Sequence, residues 1–536
     1  MTVHLPEKLF HALIYCFLFL LVTAAFINIQ YGTDNLAVLS VFSADEPFAV
    51  QLLARNLIEN RVDPQGFYNY GYFYHTVAFY LIKILERFNY AIDERLIAVV
   101  CRLISVESYV LLLFLTYQLT KMVSQNSTLA LYAAWFLAST PDLYYWAQYI
   151  HPDLLQAALV AAAAYIAWSR HRFSQALLAS IIAGAAFGTK YSGIFILPFL
   201  ILPSALAFLN DIHRQRKILF KDYRKLVGVA FGMFALFLAA WIVTNPTIIK
   251  NFGEASKDIL YSKGQLVTGA RGWIEPTNPL LWFPTFYSEF KTGGSLLVVI
   301  GLIVLVVVMI RKRTRYQEFL RTPLYRTLFS MGAYVGIVSL YFALTVNARV
   351  PRYIFHLLPF IVMLAFTGLS QLVKTVCHTK HRQWGCYLGC MLCIFPLTMH
   401  TIHSMDWASQ KYYHQYMQAT TWIENHFSPD TPILADSYSY QSPYFTKFQK
   451  IWGVDEQALQ YYQPELVIIN NKLSGRWSWK IPGTTFEEQQ FALGPYVGRA
   501  QEIHDFHIKL FSPSSPYEII YEDTEIVVLQ RKASGK

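Results

Sequence analysis

The chain has 536 residues, of which 54% are hydrophobic, 16% aromatic and only 15% charged. A soluble domain carries about 25% charged residues, so this chain has too few to cover a water-facing surface. The composition excludes a disordered chain, a collagen-like chain and a small disulfide-stapled protein. The net charge of +10 would suit nucleic-acid binding in a soluble protein, but in a membrane protein such an excess usually marks cytoplasmic loops.

Apolar stretches that approach the length of a membrane span recur along the chain. Eleven of them lie at roughly 9–29, 96–118, 128–147, 152–169, 174–188, 192–209, 226–244, 294–310, 327–346, 353–373 and 384–402. If the N-terminus is cytoplasmic, the basic clusters in 211–225 and 311–326 fall on the cytoplasmic side. The sequence therefore predicts a polytopic α-helical protein of the plasma (inner) membrane with about 11 transmembrane helices and no nucleic-acid partner.

Two regions lie outside these spans on the predicted outer side, which is the periplasm if the cell is bacterial. The first outer loop, 30–94, has apolar residues at helical spacing, which predicts amphipathic helices along the membrane surface. Residues 404–536 contain 11 Lys and Arg against 15 Asp and Glu and no spanning run. Strand-like segments at 432–435, 466–470 and 525–530 and a helix-like stretch at 410–426 predict a small extracytoplasmic α/β domain. We therefore expect a transmembrane domain at 1–403 and a second domain at 404–536.

The first outer loop contains a vicinal acid pair, Asp45-Glu46, shortly after the first span. A carboxylate beside the membrane can act as a general base toward a hydroxyl group. The alternative is a helix N-terminal acid pair that the helix dipole stabilises, with Pro47 in the first turn.

Further polar residues lie at membrane ends on the same predicted side. They are Asp153, Lys190 and Arg352. Asp153 follows His151 and Pro152, Lys190 lies in a short turn, and Arg352 precedes the tenth span. Each alone could be an interfacial anchor that reaches the headgroups. Together they predict a functional site, because Arg and Lys can bind a lipid phosphate and a carboxylate can accept a proton.

In this order the residues resemble a known superfamily, the polyprenyl-phosphate-dependent glycosyltransferases of the GT-C fold. The group includes protein O-mannosyltransferases and bacterial aminoarabinose transferases of lipid A. The resemblance covers about residues 9–400. It rests on Asp45-Glu46, Asp63-Pro64, a Tyr-rich segment, Thr189-Lys190-Tyr191, and Arg352-Tyr353 followed by Pro359. Where many members of the superfamily have Tyr-Pro in the first loop, this chain has Tyr70-Gly71. The resemblance therefore does not define the acceptor side of the pocket.

The resemblance implies a GT-C membrane glycosyltransferase that moves a hexose or pentose from a polyprenyl-phosphate donor, with inversion, to a hydroxyl of a lipid, glycan or protein outside the cytoplasm. Asp45 would be the catalytic base, and Glu46 would orient the acceptor or share that role. Lys190 and Arg352, and with them Arg55, would bind the donor phosphate and offset its charge. For Arg55 an ion pair on a surface helix is the alternative.

The resemblance also implies a set of substrate-binding residues. They are Asp153, Tyr70, Tyr74, Tyr191 and Tyr353. No cofactor is expected to be required, although His75 and His151 leave a divalent metal open; hydrogen bonding is the alternative for both. A transporter or flippase for a lipid-linked substrate is the second hypothesis for the chain, and a receptor-like or assembly protein is the third.

Overall fold

The computed structural model describes residues 5–33, 39, 45–64, 68, 70–215, 220–268, 278–313, 322–347, 350–376, 379–436, 439, 444–451, 454–470, 500–523 and 526–532. For a few residues within helices, Asp45 and 404–416 among them, the description covers the backbone alone.

Most of the described residues as far as His426 are helical. They are α1 (Leu5–Asn28), α2 (Asp45–Ile58), α3 (Phe73–Arg87), α4 (Glu94–Ser124), α5 (Ser127–Ala138), α6 (Pro141–Ala147), α7 (Asp153–Arg170), α8 (Phe173–Thr189), α9 (Leu197–Leu200), α10 (Leu202–Gln215), α11 (Phe220–Thr244), α12 (Phe252–Thr268), α13 (Trp282–Arg313), α14 (Pro323–Thr345), α15 (Leu358–Val376) and α16 (Lys380–His426). Short 3-10 helices occupy Tyr191–Ile196, Pro279–Leu281 and Pro351–Ile354.

Helices occupy most of each of the eleven predicted spans, but they are not equally long. Among the described residues, eight segments are long and apolar enough to cross a membrane. The helices α5 and α8 are apolar but shorter, and α7 carries a charged residue at each end. The stretch predicted at 128–147 is two helices, because the chain breaks at Ser139 and Thr140 before Pro141 begins α6. This break places α6 where it can contribute to a site at the ends of the spans.

Small residues allow the long helices to pack closely. A Cβ atom on Gly301 of α13 would lie 2.2 Å from the carbonyl oxygen of Ala365 in α15, so only glycine fits at this crossing. Small residues at helix contacts are the common way in which membrane helices approach each other. Helix α13 also bends at Lys291, whose φ of 51° is outside the helical range.

The first outer loop contains the two predicted helices, α2 and α3. Their apolar faces form one buried cluster with the beginning of α4, to which Val50, Leu53, Phe79 and Ile82 belong. The amphipathic spacing of this loop therefore reflects packing against the helical bundle, and it fixes the start of α2 beside α4.

The C-terminal part contains a five-stranded sheet, which confirms the predicted α/β character. The strands are β1 (Ile433–Asp436), β2 (Phe448–Ile451), β3 (Leu466–Asn470), β4 (Tyr517–Glu522) and β5 (Ile526–Arg531), with helices α17 (Glu456–Tyr462) and α18 (Ala500–Leu510). The strand order is β2-β1-β3-β5-β4; β1 pairs parallel with β2 and β3, and β5 pairs antiparallel with β3 and β4.

Both faces of this sheet are covered by helices. Alternate residues of β1 and β3 face Ala419 and Ile423 of α16, and the others face Phe506 and Leu510 of α18. Helix α16 runs without a break from the last predicted span into this domain, through the boundary predicted at residues 403 and 404.

Candidate active site

The acid pair lies in the first turn of an α-helix. Helix α2 begins at Asp45, with Glu46 and Pro47 following. This agrees with the alternative interpretation of Asp45-Glu46 as a helix N-terminal acid pair, since acidic residues and proline favour a helix N-terminus. Glu46 is fully buried and paired.

Glu46 forms a buried ion pair with Arg102 of α4. Its two carboxylate oxygens accept from Arg102 Nη2 at 2.6 Å and Nε at 3.0 Å. The oxygen nearer to Nε also accepts from the backbone N–H of Ile150 at 2.6 Å. Because both oxygens are occupied, the side chain of Glu46 joins the start of α2 to α4 and to the segment that carries His151.

The sequence interpretation missed Arg102. Its Nη1 donates to the carbonyl oxygens of Tyr31 at 2.6 Å and Ile29 at 3.2 Å, so Arg102 also holds the chain that leaves α1. The signal was present, since an arginine within the apolar stretch 96–118 is costly in a membrane and needs a partner.

The polar residues predicted at the ends of three other spans come together in one buried cluster. Asp153, at the start of α7, contacts Lys190 Nζ through one carboxylate oxygen. Its other oxygen lies 2.5 Å from His151 Nδ1. Nε2 of the same histidine lies 3.0 Å from Arg352 Nη1. The cluster thus joins residues up to 201 positions apart in sequence.

These contacts determine the state of the His151 ring. Arginine can only donate, so Nε2 accepts its hydrogen bond and the imidazole is neutral, with its proton on Nδ1 toward Asp153. Burial lowers the pKa of His151, and Arg352 and Lys190 act in the same direction while Asp153 opposes them. The four described side chains of the cluster are thus one carboxylate, two cations and a neutral histidine.

Aromatic rings surround both cations. Lys190 Nζ lies 4.7 Å from the ring centroid of Tyr353 and 5.6 Å from that of Tyr70. The Arg352 guanidinium lies 4.7 Å from the ring of Trp146 in α6. Such contacts stabilise a buried cation without neutralising it. Of the predicted substrate-binding tyrosines, Tyr70 and Tyr353 therefore hold Lys190 in position.

The segment that carries Tyr70 is held against the end of α8. The hydroxyl of Tyr191 donates to the carbonyl oxygens of Tyr68 at 2.9 Å and Tyr70 at 3.2 Å. A Cβ atom on Gly71 would lie 2.0 Å from the carbonyl oxygen of Gly188. The departure from Tyr-Pro at this point therefore has a structural reason, since two backbones meet just before Lys190.

A small cavity lies against the cluster. It leaves about 20 Å³ of space for a water-sized molecule and is lined by Phe48, Tyr70, Tyr74, His75, His151 and their neighbours. The ring of Tyr74 belongs to the wall, but its hydroxyl is committed to the carbonyl oxygen of Cys101 at 2.5 Å. His75, left open as a metal ligand, shares this cavity with His151.

Other predictions find less support in the geometry. Arg55 is an exposed residue in the last turn of α2, whereas Lys190 and Arg352 are buried. In the part of the chain that the structure describes, no group of three His, Cys, Asp or Glu side chains comes together to hold a metal. Both ring nitrogens of His151 are engaged, which leaves it no lone pair for a metal.

Comparison with known proteins gives matches among solved structures only. No family model and no curated protein matches the sequence. ArnT from Cupriavidus metallidurans in the apo state is 11% identical, with a TM-score of 0.53, and the match covers 97% of this chain and 98% of that chain. The same ArnT bound to undecaprenyl phosphate is also 11% identical, with a TM-score of 0.52 and coverage of 96% and 98%.

At this identity the match establishes the fold. The chain has the GT-C architecture along nearly its whole length, including the small sheet domain near the C-terminus. The predicted fold class, a polytopic helical membrane protein of the GT-C type with a small C-terminal α/β domain, is thereby confirmed.

Proposed function

We propose that the chain is a membrane glycosyltransferase that moves a sugar from a polyprenyl-phosphate donor to an acceptor hydroxyl. The observation that carries this proposal is the buried cluster in which Lys190 contacts Asp153 and Arg352 contacts the His151 ring. Two buried cations brought together in one cluster can bind the phosphate of a phosphodiester by charge-assisted hydrogen bonds.

The leaving group explains why these cations are needed. When the bond between the anomeric carbon and the phosphate oxygen breaks, the electron pair stays on the polyprenyl phosphate, and negative charge develops there. Cations fixed in advance by aromatic rings and by Asp153 stabilise this charge without reorganising. Lys190 acts as a point charge and Arg352 as a planar fork.

Asp45 is the proposed general base. The acceptor hydroxyl gives its proton to the carboxylate as its oxygen attacks the anomeric carbon from the side opposite the phosphate, which inverts the configuration. The placement of Asp45 supports this role, because Glu46 ties the start of α2 to Ile150, the residue before His151. Glu46 is then a positioning residue. It needs neither of the roles that the resemblance implies, which are to orient the acceptor or to share the role of the base.

The solved neighbour supports the class of donor. ArnT of this fold has been solved bound to undecaprenyl phosphate. The long apolar helices beside the cluster offer a polyprenyl chain a lipid environment. The acceptor is a hydroxyl of a lipid, glycan or protein, and the donor sugar a hexose or pentose.

The charge pattern supports the orientation. Basic residues concentrate in 211–225 and 311–326, on the side opposite the cluster in the predicted topology. We place the N-terminus in the cytoplasm, and the site and residues 404–536 outside, in the plasma (inner) membrane. Residues 1–403 form the transmembrane domain in this proposal.

The experiment distinguishes a transferase from a flippase. The purified protein is placed in vesicles that contain a polyprenyl-phosphate sugar and an extract of acceptor lipids, glycans and proteins. A transferase releases free polyprenyl phosphate, and Lys190→Met abolishes the release, whereas the control Arg61→Met, at an exposed ion pair, does not. If the lipid-linked sugar only changes leaflet and stays intact, the proposal is wrong.

A further inference from the structure

The segment that carries Tyr70 crosses the end of α8 at two glycines. A Cβ atom on Gly71 would lie 2.0 Å from the carbonyl oxygen of Gly188, so the two backbones are in direct contact. Tyr70 precedes the first of these glycines by one residue, and Lys190 follows the second by two. Lys190 is the first residue after α8 and has an extended backbone. The position of its ammonium group relative to the Tyr70 ring therefore depends on how this crossing is held.

One asparagine side chain joins both sides of the crossing. Asn245 directly follows α11 and is only 4% exposed. Its Oδ1 accepts a hydrogen bond from the backbone N–H of Tyr72 at 2.5 Å. Its Nδ2 donates to the carbonyl oxygen of Gly188 at 3.3 Å and to two groups at the end of α11. A single amide therefore bonds the residue after Gly71 and the glycine that Gly71 contacts.

Both of these backbone groups depend on a partner from another element. Gly188 lies in the last turn of α8 and Tyr72 directly precedes α3, two positions where backbone groups have no partner within the helix. Both residues are buried. An apolar residue in place of Asn245 would leave two buried polar groups unsatisfied, which favours separation of the two segments. The amide thus stabilises the crossing, and with it the contact between Lys190 and Tyr70.

The effect of the crossing reaches the phosphate site through Tyr70. The Tyr70 ring lies 5.6 Å from Lys190 Nζ and meets the His151 ring edge-on at 5.7 Å. A cation that is held in place before its ligand arrives binds more tightly than a cation that must first be ordered. If the Tyr70 ring moves away, Lys190 keeps its charge but loses part of this ordering.

We infer that Asn245 is a positioning residue for the donor phosphate, because its amide holds the segment of Tyr70 against α8 and so orders Lys190. The inference rests on the proposed function, in which Lys190 binds that phosphate. Asn245 acts on the phosphate through Tyr70, whereas a residue that merely stabilised the fold would have no specific link to this ring.

A double-mutant cycle tests this link on the binding of polyprenyl phosphate to the purified protein. The variants are Asn245→Ala, Tyr70→Leu and the double variant, each titrated below its unfolding transition. We expect each single variant to weaken binding about tenfold. The double variant should be about as weak as the single variants, and not about a hundredfold weaker than the wild type, because both changes remove the same ordering of Lys190.

The matched control is Asn126→Ala, at the end of α5 that lies away from α6 and the site. Asn126 also bonds through both ends of its amide, since it accepts from the Leu129 N–H at 3.0 Å and donates to the Tyr387 hydroxyl at 3.2 Å. This variant should lower stability without changing the affinity for polyprenyl phosphate. If Asn245→Ala does not fold, Asn245→Ser takes its place in the cycle, with a smaller loss because a hydroxyl can still bond one of the two partners.

The outcomes separate the inference from the proposed function. Unchanged affinity in Asn245→Ala would overturn the inference, as would losses that multiply in the double variant. If the wild type still releases polyprenyl phosphate on turnover, the proposed function stands. Coupled losses in a protein that binds polyprenyl phosphate but never releases it from the donor would contradict the transferase and keep the role of Asn245.

Discussion

The ion pair between Glu46 and Arg102 leads to a prediction whose size follows from burial. The side chains of Arg102 and Glu46 are 1% and 0% exposed, and the pair holds three chain segments to α4. Arg102→Met leaves a buried carboxylate without its partner, which costs about 3–5 kcal/mol in buried pairs. The exposed pair Arg61–Glu59, 55% and 37% exposed, is the matched control, and Arg61→Met should cost less than about 1 kcal/mol.

The assay is denaturant unfolding of the detergent-solubilised protein, read as the difference in free energy of unfolding between each variant and the wild type. The double variant Glu46→Leu with Arg102→Met replaces both charges by apolar groups and should regain much of the stability, because no unpaired charge remains. If Arg102→Met is no more destabilising than Arg61→Met, the reasoning about this pair is refuted.

Three further predictions concern the site. Gly71→Ala forces the backbone away from Gly188 and should reduce the rate of sugar transfer by about 10²-fold. The control is Gly228→Ala, where an added Cβ meets nothing within 4 Å and the rate should not change. Equal transfer rates in the two variants would contradict the packing argument. The pKa of His75 is about 4 in the folded protein and about 6.5 in the unfolded chain, so the unfolded chain binds the proton more tightly. The free energy of unfolding should therefore fall by about 3 kcal/mol as the pH falls from about 6.5 to 4. The same pH profile of unfolding in His75→Asn as in the wild type would refute this. Lys190→Met should weaken binding of polyprenyl phosphate at least tenfold, measured by titration, and undiminished binding would remove Lys190 from the phosphate site.

Much of the fold was predictable because the signals are local. Apolar stretches of span length and the clusters of Lys and Arg between them need no tertiary contact to be recognised. The break at Ser139 was not predicted, since the stretch 128–147 is apolar on both sides of it. Strands β2 and β4 were also missed, because β2 is a short, polar edge strand and β4 has a largely exposed face.

The site was partly predictable, for a physical reason. Lys190, Asp153 and Arg352 are charged residues next to apolar spans, so each is conspicuous in the sequence. The pairing of Glu46 with Arg102 could not be predicted, because the two residues are 56 positions apart and meet only when α2 packs against α4. The role of Tyr191 likewise depends on a contact with the backbone of Tyr70, which residue type alone does not reveal.

The proposed chemistry depends most directly on Asp45. The decisive measurement is the rate at which purified wild type and Asp45→Asn transfer a labelled sugar from a polyprenyl-phosphate donor to an acceptor, with Asp430→Asn, at an exposed turn, as the control. We predict that Asp45→Asn lowers the rate by about 10²–10⁴-fold with donor affinity unchanged, as expected for loss of a general base. Transfer by Asp45→Asn at the wild-type rate would contradict the proposed mechanism.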